Sequence, residues 1–87
     1  MVKSVSYKFP VLGSEEPEIV DLRNMEAPEP MEKVLTACAK LDEGKFFLAH
    51  LPHVPMPLFP HLELRGLRWW VYEEADQSAL LLIRKDT

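Results

Sequence analysis

The three histidines of the sequence, His50, His53 and His61, are the side chains best suited to bind a metal or to move a proton near neutral pH. Their spacing, His-x2-His-x7-His, is accompanied by no cysteine pair and no ordered set of carboxylates, whereas structural zinc motifs are denser. A metal centre would require the imidazoles to converge from a strand end, a proline-rich loop and a short helix. The sequence therefore predicts that the protein binds no metal and no cofactor. Metal binding would contradict this prediction, and His50, His53 and His61 are the candidate ligands for it.

Cys38, the single cysteine, could act as a nucleophile only if its thiol were accessible and easily deprotonated. It lies instead in a helical apolar stripe with Met31, Val34 and Leu35, where burial keeps a thiol protonated and inert. A single cysteine also excludes an internal disulfide, and the absence of disulfides is typical of proteins in the reducing cytoplasm. We therefore expect Cys38 to be a core residue.

Residues 20–31 read Val-Asp-Leu-Arg-Asn-Met-Glu-Ala-Pro-Glu-Pro-Met. This run resembles the first strand, loop and helix start of the TusA/SirA family of small sulfur carriers. That family has the signature Cys-Pro-x-Pro, with its cysteine at the head of the first helix, where the helix dipole and free N–H groups favour the thiolate. Here Pro28-Glu29-Pro30 is intact and Ala27 stands in place of the cysteine. The resemblance implies the family's fold without its sulfur chemistry.

A second run, residues 52–58, reads Pro-His-Val-Pro-Met-Pro-Leu. The chain is most similar to a TusA-like domain family of unknown function, which has Pro-Pro-Glu-Pro in place of Cys-Pro-x-Pro and a run like Asp-His-x-Pro-x-Pro-Leu after its second strand. His53 and both following prolines match that run, while Pro52 replaces its aspartate, the carboxylate that often orients a working imidazole. His53 is either a residue that hydrogen-bonds loop backbone or the polar point of a shallow site near the first helix.

The resemblance implies a non-catalytic binding or interaction module rather than an enzyme. Members of the similar family often occur beside hemerythrin-like or other redox domains, which suggests service to a redox or metal-linked system. Two alternatives stay open, namely a metal or small-ligand site centred on His53 and an accessory role in sulfur relay. The start of the first helix is either a packing junction or a place where exposed N–H groups receive a ligand. The candidate ligand- or partner-binding residues are Arg23, Ala27, Pro28, Glu29, His53 and Trp70.

Trp69 and Trp70 are consecutive residues of a predicted strand, so their side chains should lie on opposite faces of the sheet. One indole is expected in the core beneath the helices. The other would form an aromatic partner-binding patch with Tyr72, or would be covered by Tyr7 and Phe9 of the N-terminal segment.

The pattern of apolar residues predicts an α+β fold, a two-layer sandwich in the order β-α-β-α-β-β with two helices on one face of a mixed four-stranded sheet. Strands are expected at residues 18–22, 45–51, 67–74 and 79–85. One helix should begin near Pro28 and be stopped by Gly44, and a short second helix should span residues 57–65. Residues 1–17 are predicted to be an N-terminal extension, and residues 18–87 the TusA-like domain. Within the extension, residues 5–9 form either an added, weakly ordered edge strand, which we favour, or a loose tail.

The 87 residues carry a formal net charge of -4, with lysines and arginines scattered rather than grouped in a stripe. Such a surface argues against nucleic-acid binding, because phosphate contacts dominate that affinity. No apolar run approaches the roughly 20 residues that span a bilayer, and no secretory signal is expected. We therefore expect a cytoplasmic protein whose partner is another protein or a small ligand, neither of which the sequence identifies.

Overall fold

The computed structural model describes residues 8–13, 17–26 and 28–86 and confirms the α+β fold. The strands are β1 (Ile19–Asp21), β2 (Phe46–Leu51), β3 (Arg68–Glu73) and β4 (Ala79–Arg84). The helices are α1 (Glu29–Ala39), between β1 and β2, and α2 (Phe59–Leu64), between β2 and β3. Short 3-10 turns at Pro10–Leu12 and Met56–Leu58 precede β1 and α2. Within these ranges, no helix is both long and apolar enough to cross a bilayer.

The four strands form one mixed sheet in the order β1-β2-β4-β3. β1 runs parallel to β2, while β2 and β3 both run antiparallel to β4. The central place predicted for β2 is therefore confirmed. β4 lies at the centre as well, which explains its run of buried residues from Ala79 to Ile83, because both of its faces are covered.

Helix α1 begins where predicted but ends earlier than predicted. Pro28 is its N-cap, and Pro30 lies in the first turn, where a missing N–H removes no intrahelical hydrogen bond. The helix ends at Ala39 and not near Gly44. Gly44 instead serves the reversal into β2, with φ of 76° and its N–H donated to the Lys85 carbonyl oxygen at 2.6 Å. The positive φ explains why glycine is needed in this turn.

The helix face of the sheet carries the main core. Buried residues of α1, α2, the loops and the sheet pack there around Ala49, Leu81 and Ile83, with Phe47 and Trp69 packed against them. This layer fixes the first turn of α1 and the segment after β2 on the same side of the sheet.

The opposite face of the sheet carries a second, smaller core. Phe9 and Leu12 pack there on Leu48, Leu80 and Leu82. The strand predicted at residues 5–9 is not observed at Lys8 and Phe9, and residues 5–7 lie outside the described part of the chain. Phe9 is followed at once by the 3-10 turn at residues 10–12, which Pro10 favours because its ring fixes φ.

Candidate functional site

A pocket of about 250 Å³ lies between the first turns of α1 and the segment that follows β2. It joins the two sequence runs that carried the resemblance, since Pro28 and Pro30 line one side and His53 and Pro55 the other. The full lining is Pro28, Pro30, Met31, Val34, Leu51, Pro52, His53, Pro55, Pro57 and Leu58. Residues that are distant along the chain thus form one apolar concavity at the carboxyl end of β2.

The walls of this pocket are made mainly of proline. Five of the ten lining residues are prolines, and a proline has no backbone N–H to offer. Each ring also fixes one backbone angle, so the walls hold their shape without a ligand. The pocket is therefore preformed and poor in hydrogen-bond donors, which suits an apolar group and disfavours a phosphate or carboxylate.

The floor of the pocket belongs to the main core. Val34 from α1, Leu51 from β2 and Leu58 from the 3-10 turn are each at most 2% exposed. Pro52 ends β2 directly after Leu51, and the chain then turns so that the Leu58 N–H donates to the Pro55 carbonyl oxygen at 2.9 Å. The floor is thus held by sheet, helix and loop together, and the pocket is rigid from below.

His53 is the one ionisable side chain among the described lining residues. It is exposed, and the hydrogen bond between its Nδ1 and the carbonyl oxygen of Val54 is long, at 3.4 Å. The imidazole therefore lies on an apolar pocket and also contacts the loop backbone, which fits both interpretations of the sequence. Its role in binding stays a prediction.

Pro28 and Glu29 were predicted as site residues together with Ala27. Pro28 lines the pocket, whereas Glu29 is exposed at the start of α1 and is not part of the lining. Glu29 and Glu32 occupy the first turn, where carboxylates suit the positive end of the helix dipole. Ala27 lies outside the described residues.

Arg23 is not part of the pocket lining and forms an ion pair with Asp21. Its Nε and Nη2 donate to the two carboxylate oxygens of Asp21 at 2.9 and 2.8 Å. This bidentate contact holds the pKa of the exposed Asp21 carboxyl well below its usual range. The guanidinium is therefore already matched to a carboxylate, and Arg23 as a ligand-binding residue stays a prediction.

A polar network on the second face of the sheet was missed by the sequence reasoning. His50 Nε2 lies 2.9 Å from Ser78 Oγ, and Ser78 Oγ donates to Asp76 Oδ1 at 2.6 Å. Because the serine proton goes to Asp76, the imidazole must donate from Nε2. Hydrogen bonds from Ser78 also lower the pKa of Asp76. The Asp-x-Ser spacing in the hairpin loop signalled a local turn, but the contact with His50 depends on strand pairing across the sheet.

The structure does not bring the three histidines together. His50 belongs to this network, His53 lines the pocket and His61 lies on α2. Over residues 8–13, 17–26 and 28–86, no group of three or more His, Cys, Asp or Glu side chains could hold a metal ion.

Cys38 is buried in the main core, as predicted. Burial raises the pKa of its thiol to about 11. We expect maleimide to label Cys38 of the native protein at pH 7.5 at least about 100-fold more slowly than the urea-unfolded chain, because both access and thiolate are lacking. Mass spectrometry of timed samples measures this ratio. Equal rates in the two states would show that the thiol is open to solvent.

The two tryptophans lie on opposite faces of the sheet, as predicted. Trp69 packs on the main core and stacks on Phe59, with ring centroids 5.5 Å apart. Trp70 packs against the second core, which contains Phe9, so the N-terminal segment covers this face at that point. Tyr7 lies outside the described residues. Trp70 is remote from the pocket, and its role in partner binding stays a prediction.

Comparison with known proteins identifies a family. No curated protein matches the chain. Residues 19–85 match the model of the family described as "Uncharacterized conserved protein (DUF2249)". The match extends from β1 to the end of β4 and includes both halves of the pocket. The chain therefore belongs to this family of uncharacterised conserved proteins.

Proposed function

We propose that the protein is a non-catalytic binding module of TusA-like fold, in which the pocket at the start of α1 accepts an apolar group of a partner. The sulfur carriers that it resembles use a cysteine at the position of Ala27, and a methyl group can neither form nor attack a persulfide. This end of the domain would thus serve recognition instead of group transfer.

The single observation that carries this proposal is the proline-walled pocket itself. Its lining exposes almost only carbon, and its walls are prolines with no N–H to donate. Burying apolar surface there yields roughly 25 cal/mol per Å², and rigid walls lose little conformational entropy on binding. His53 adds one polar contact, which can orient a ligand but supplies no nucleophile.

The proposed setting of this module follows from the family resemblance. We propose that it acts in the cytoplasm in a redox or metal-linked system, as a docking domain and not as the metal-binding or electron-carrying part. Its acidic surface, with a net charge of -4, supports a protein or small-molecule partner over nucleic acid.

A pocket-filling substitution tests the proposal. Met31 is half-buried and lines the pocket, so the indole of Met31→Trp should occupy it. We expect hexanol, a simple apolar probe, to shift the methyl NMR signals of Val34, Leu51 and Leu58 saturably in the native protein. In Met31→Trp these shifts should fall at least about tenfold, since the probe and the indole compete for one volume.

The matched control is Met56→Trp. Met56 lies in the same segment, is 65% exposed and is not part of the lining, so its replacement should leave the shifts intact. Hexanol that produced no saturable shift in the native protein, or the same shifts in Met31→Trp, would show that this pocket is not a binding site.

A further inference from the structure

The two outer strands of the sheet differ in length. β1 has three residues, whereas β3 has six, contains no proline or glycine and pairs with β4 in one continuous register. Among the described residues, β3 has β4 on one side and no strand on the other. A straight border of this length is a template for pairing with a further strand.

The open side of β3 presents backbone groups of alternate residues. The Glu74 N–H donates to the Ser78 carbonyl oxygen at 2.7 Å, so it points toward β4. Backbone groups of an antiparallel strand alternate in direction from one residue to the next. The even-numbered residues of β3 therefore bond to β4, while the odd-numbered ones direct their N–H and C=O groups outward. These outward residues are Trp69, Val71 and Glu73.

An exposed aromatic side chain and a concavity lie together on this border. Tyr72 is 43% exposed, although the Lys8 ammonium lies 4.5 Å from its ring centroid. A concavity of about 370 Å³ opens between β3 and the N-terminal segment, on the second face of the sheet. It is lined by Lys8, Phe9, Pro10, Val11, Trp70 and Val71. The chain thus carries both an unburied ring and a space that can receive one.

Antiparallel pairing of β3 with β3 of a second copy matches these two features. The register centred on Val71 uses all three outward residues, because Trp69 then pairs with Glu73 of the other copy. In this register Trp70 and Tyr72 lie directly opposite each other, in a non-hydrogen-bonded pair, where side chains approach most closely. Tyr72 of each copy therefore meets the concavity beside Trp70 of the other.

The same register places opposite charges at the two ends of the paired strands. Arg68 lies opposite Glu74 of the other copy, on the same face of the sheet. Within each copy Arg68 contacts Asp86 at 3.4 Å, and Glu74 contacts Lys8. Across the interface the row of charges reads Lys8, Glu74, Arg68 and Asp86, which alternate in sign. A register centred on Trp70 loses this pairing of opposite charges, which stabilises a sheet.

We infer that two copies of the chain join through β3 in an antiparallel pair centred on Val71, so that two four-stranded sheets become one sheet of eight strands. Both copies use the same surface, so the assembly closes at two. One pair of strands is a small interface, and the dimer is therefore weak and dependent on concentration. It leaves the pocket at the start of α1 free, because that pocket lies on the helix face.

Sedimentation and amide exchange of the native protein test the dimer. We expect the mean mass to rise from one chain at about 10 µM toward two chains at about 1 mM. Over that range, exchange at the three outward amides of β3 should slow at least about threefold, because pairing protects them. The control is the Asp21 amide on the border of β1. It points away from β2, since the Leu22 N–H donates to the His50 carbonyl oxygen, and should exchange equally fast throughout.

A lysine at the centre of the border should abolish the dimer. Val71 is 40% exposed, so Val71→Lys is expected to stay folded, but it places two ammonium groups opposite each other in the dimer. We expect a single chain up to about 1 mM and fast exchange at the remaining outward amides. Val20→Lys makes the same change on the border of β1, where Val20 is 37% exposed, and should dimerise as the native protein does.

A mixture of two charge variants tests the register. Arg68→Glu alone and Glu74→Lys alone each place like charges opposite each other, and each should associate at least about fivefold more weakly than the native protein. Mixed in equal amounts, the two variants present opposite charges at both ends of the paired strands. The mixture should therefore associate more tightly than either variant alone.

Each outcome decides the inference. A single chain at every concentration overturns it, and so does a dimer that persists in Val71→Lys or is lost in Val20→Lys. Slow exchange of the three outward amides at every concentration would mean that the chain itself covers this border, which also overturns it. A mixture that associates no better than the two charge variants alone overturns the register centred on Val71. Hexanol binding at the pocket is independent of all these results.

Discussion

Phe9→Ala is expected to lower the free energy of unfolding by about 3–5 kcal/mol, the usual cost of truncating a buried phenylalanine. The ring is 3% exposed and packs on Leu48, Leu80 and Leu82 across the sheet from the helices. Truncation leaves a cavity between the N-terminal segment and the sheet, and the indole of Trp70 loses a neighbour. Urea unfolding followed by tryptophan fluorescence measures the loss.

The control for this variant comes from the same segment. Val11 is 36% exposed, and Val11→Ala should change stability by no more than about 0.5 kcal/mol. Similar losses in the two variants would mean that Phe9 is not a core residue, and that the helix-side core alone stabilises the domain.

Leu58→Ala is expected to cost about 2–5 kcal/mol, since Leu58 has no exposed surface and contributes to both the main core and the pocket floor. For a chain of this size, with a total stability on the order of 5 kcal/mol, a loss at the upper end of this range unfolds a substantial fraction of the molecules. Leu58→Met, which nearly conserves volume, should cost less than about 1.5 kcal/mol and stay folded. Denaturant titration gives both values.

Leu64→Ala is the matched control, because the same atoms are removed from a side chain that is 84% exposed. Its stability should stay within about 0.5 kcal/mol of the native value. A loss below 1 kcal/mol for Leu58→Ala would show that the floor of the pocket collapses or is loosely packed.

The elements of this fold could be predicted because their signals are local. Val34 and Cys38 recur at helical spacing and are buried on α1, and the apolar run of β2 does lie at the centre of the sheet. The end of α1 was misplaced because Gly44 marks a turn five residues beyond the last helical residue, and glycine can end a helix as well as form a turn.

The candidate site could be predicted only in outline. The proline-rich runs at residues 28–30 and 52–58 were singled out from the sequence, and the structure places them on one pocket. That they enclose an apolar cavity, floored by Leu51 and Leu58, depends on packing between distant segments. The contact of His50 with Ser78 depends in the same way on the pairing of β2 with β4. Neither the cavity nor the contact between His50 and Ser78 leaves a periodic signal in the sequence.

The three-residue length of β1 bears on how the protein avoids self-aggregation. This strand forms an outer border of the sheet, and Ile19 and Val20 leave 42% and 37% of their surface open to water. A longer border of this kind would recruit strands from other copies. Here the strand ends after three residues, and exposed charged groups lie on either side of it, the Glu18 carboxylate before the strand and the Asp21–Arg23 ion pair at its end. A strand from a second copy that paired there would have to bring its own backbone against these hydrated charges, which opposes edge-to-edge association.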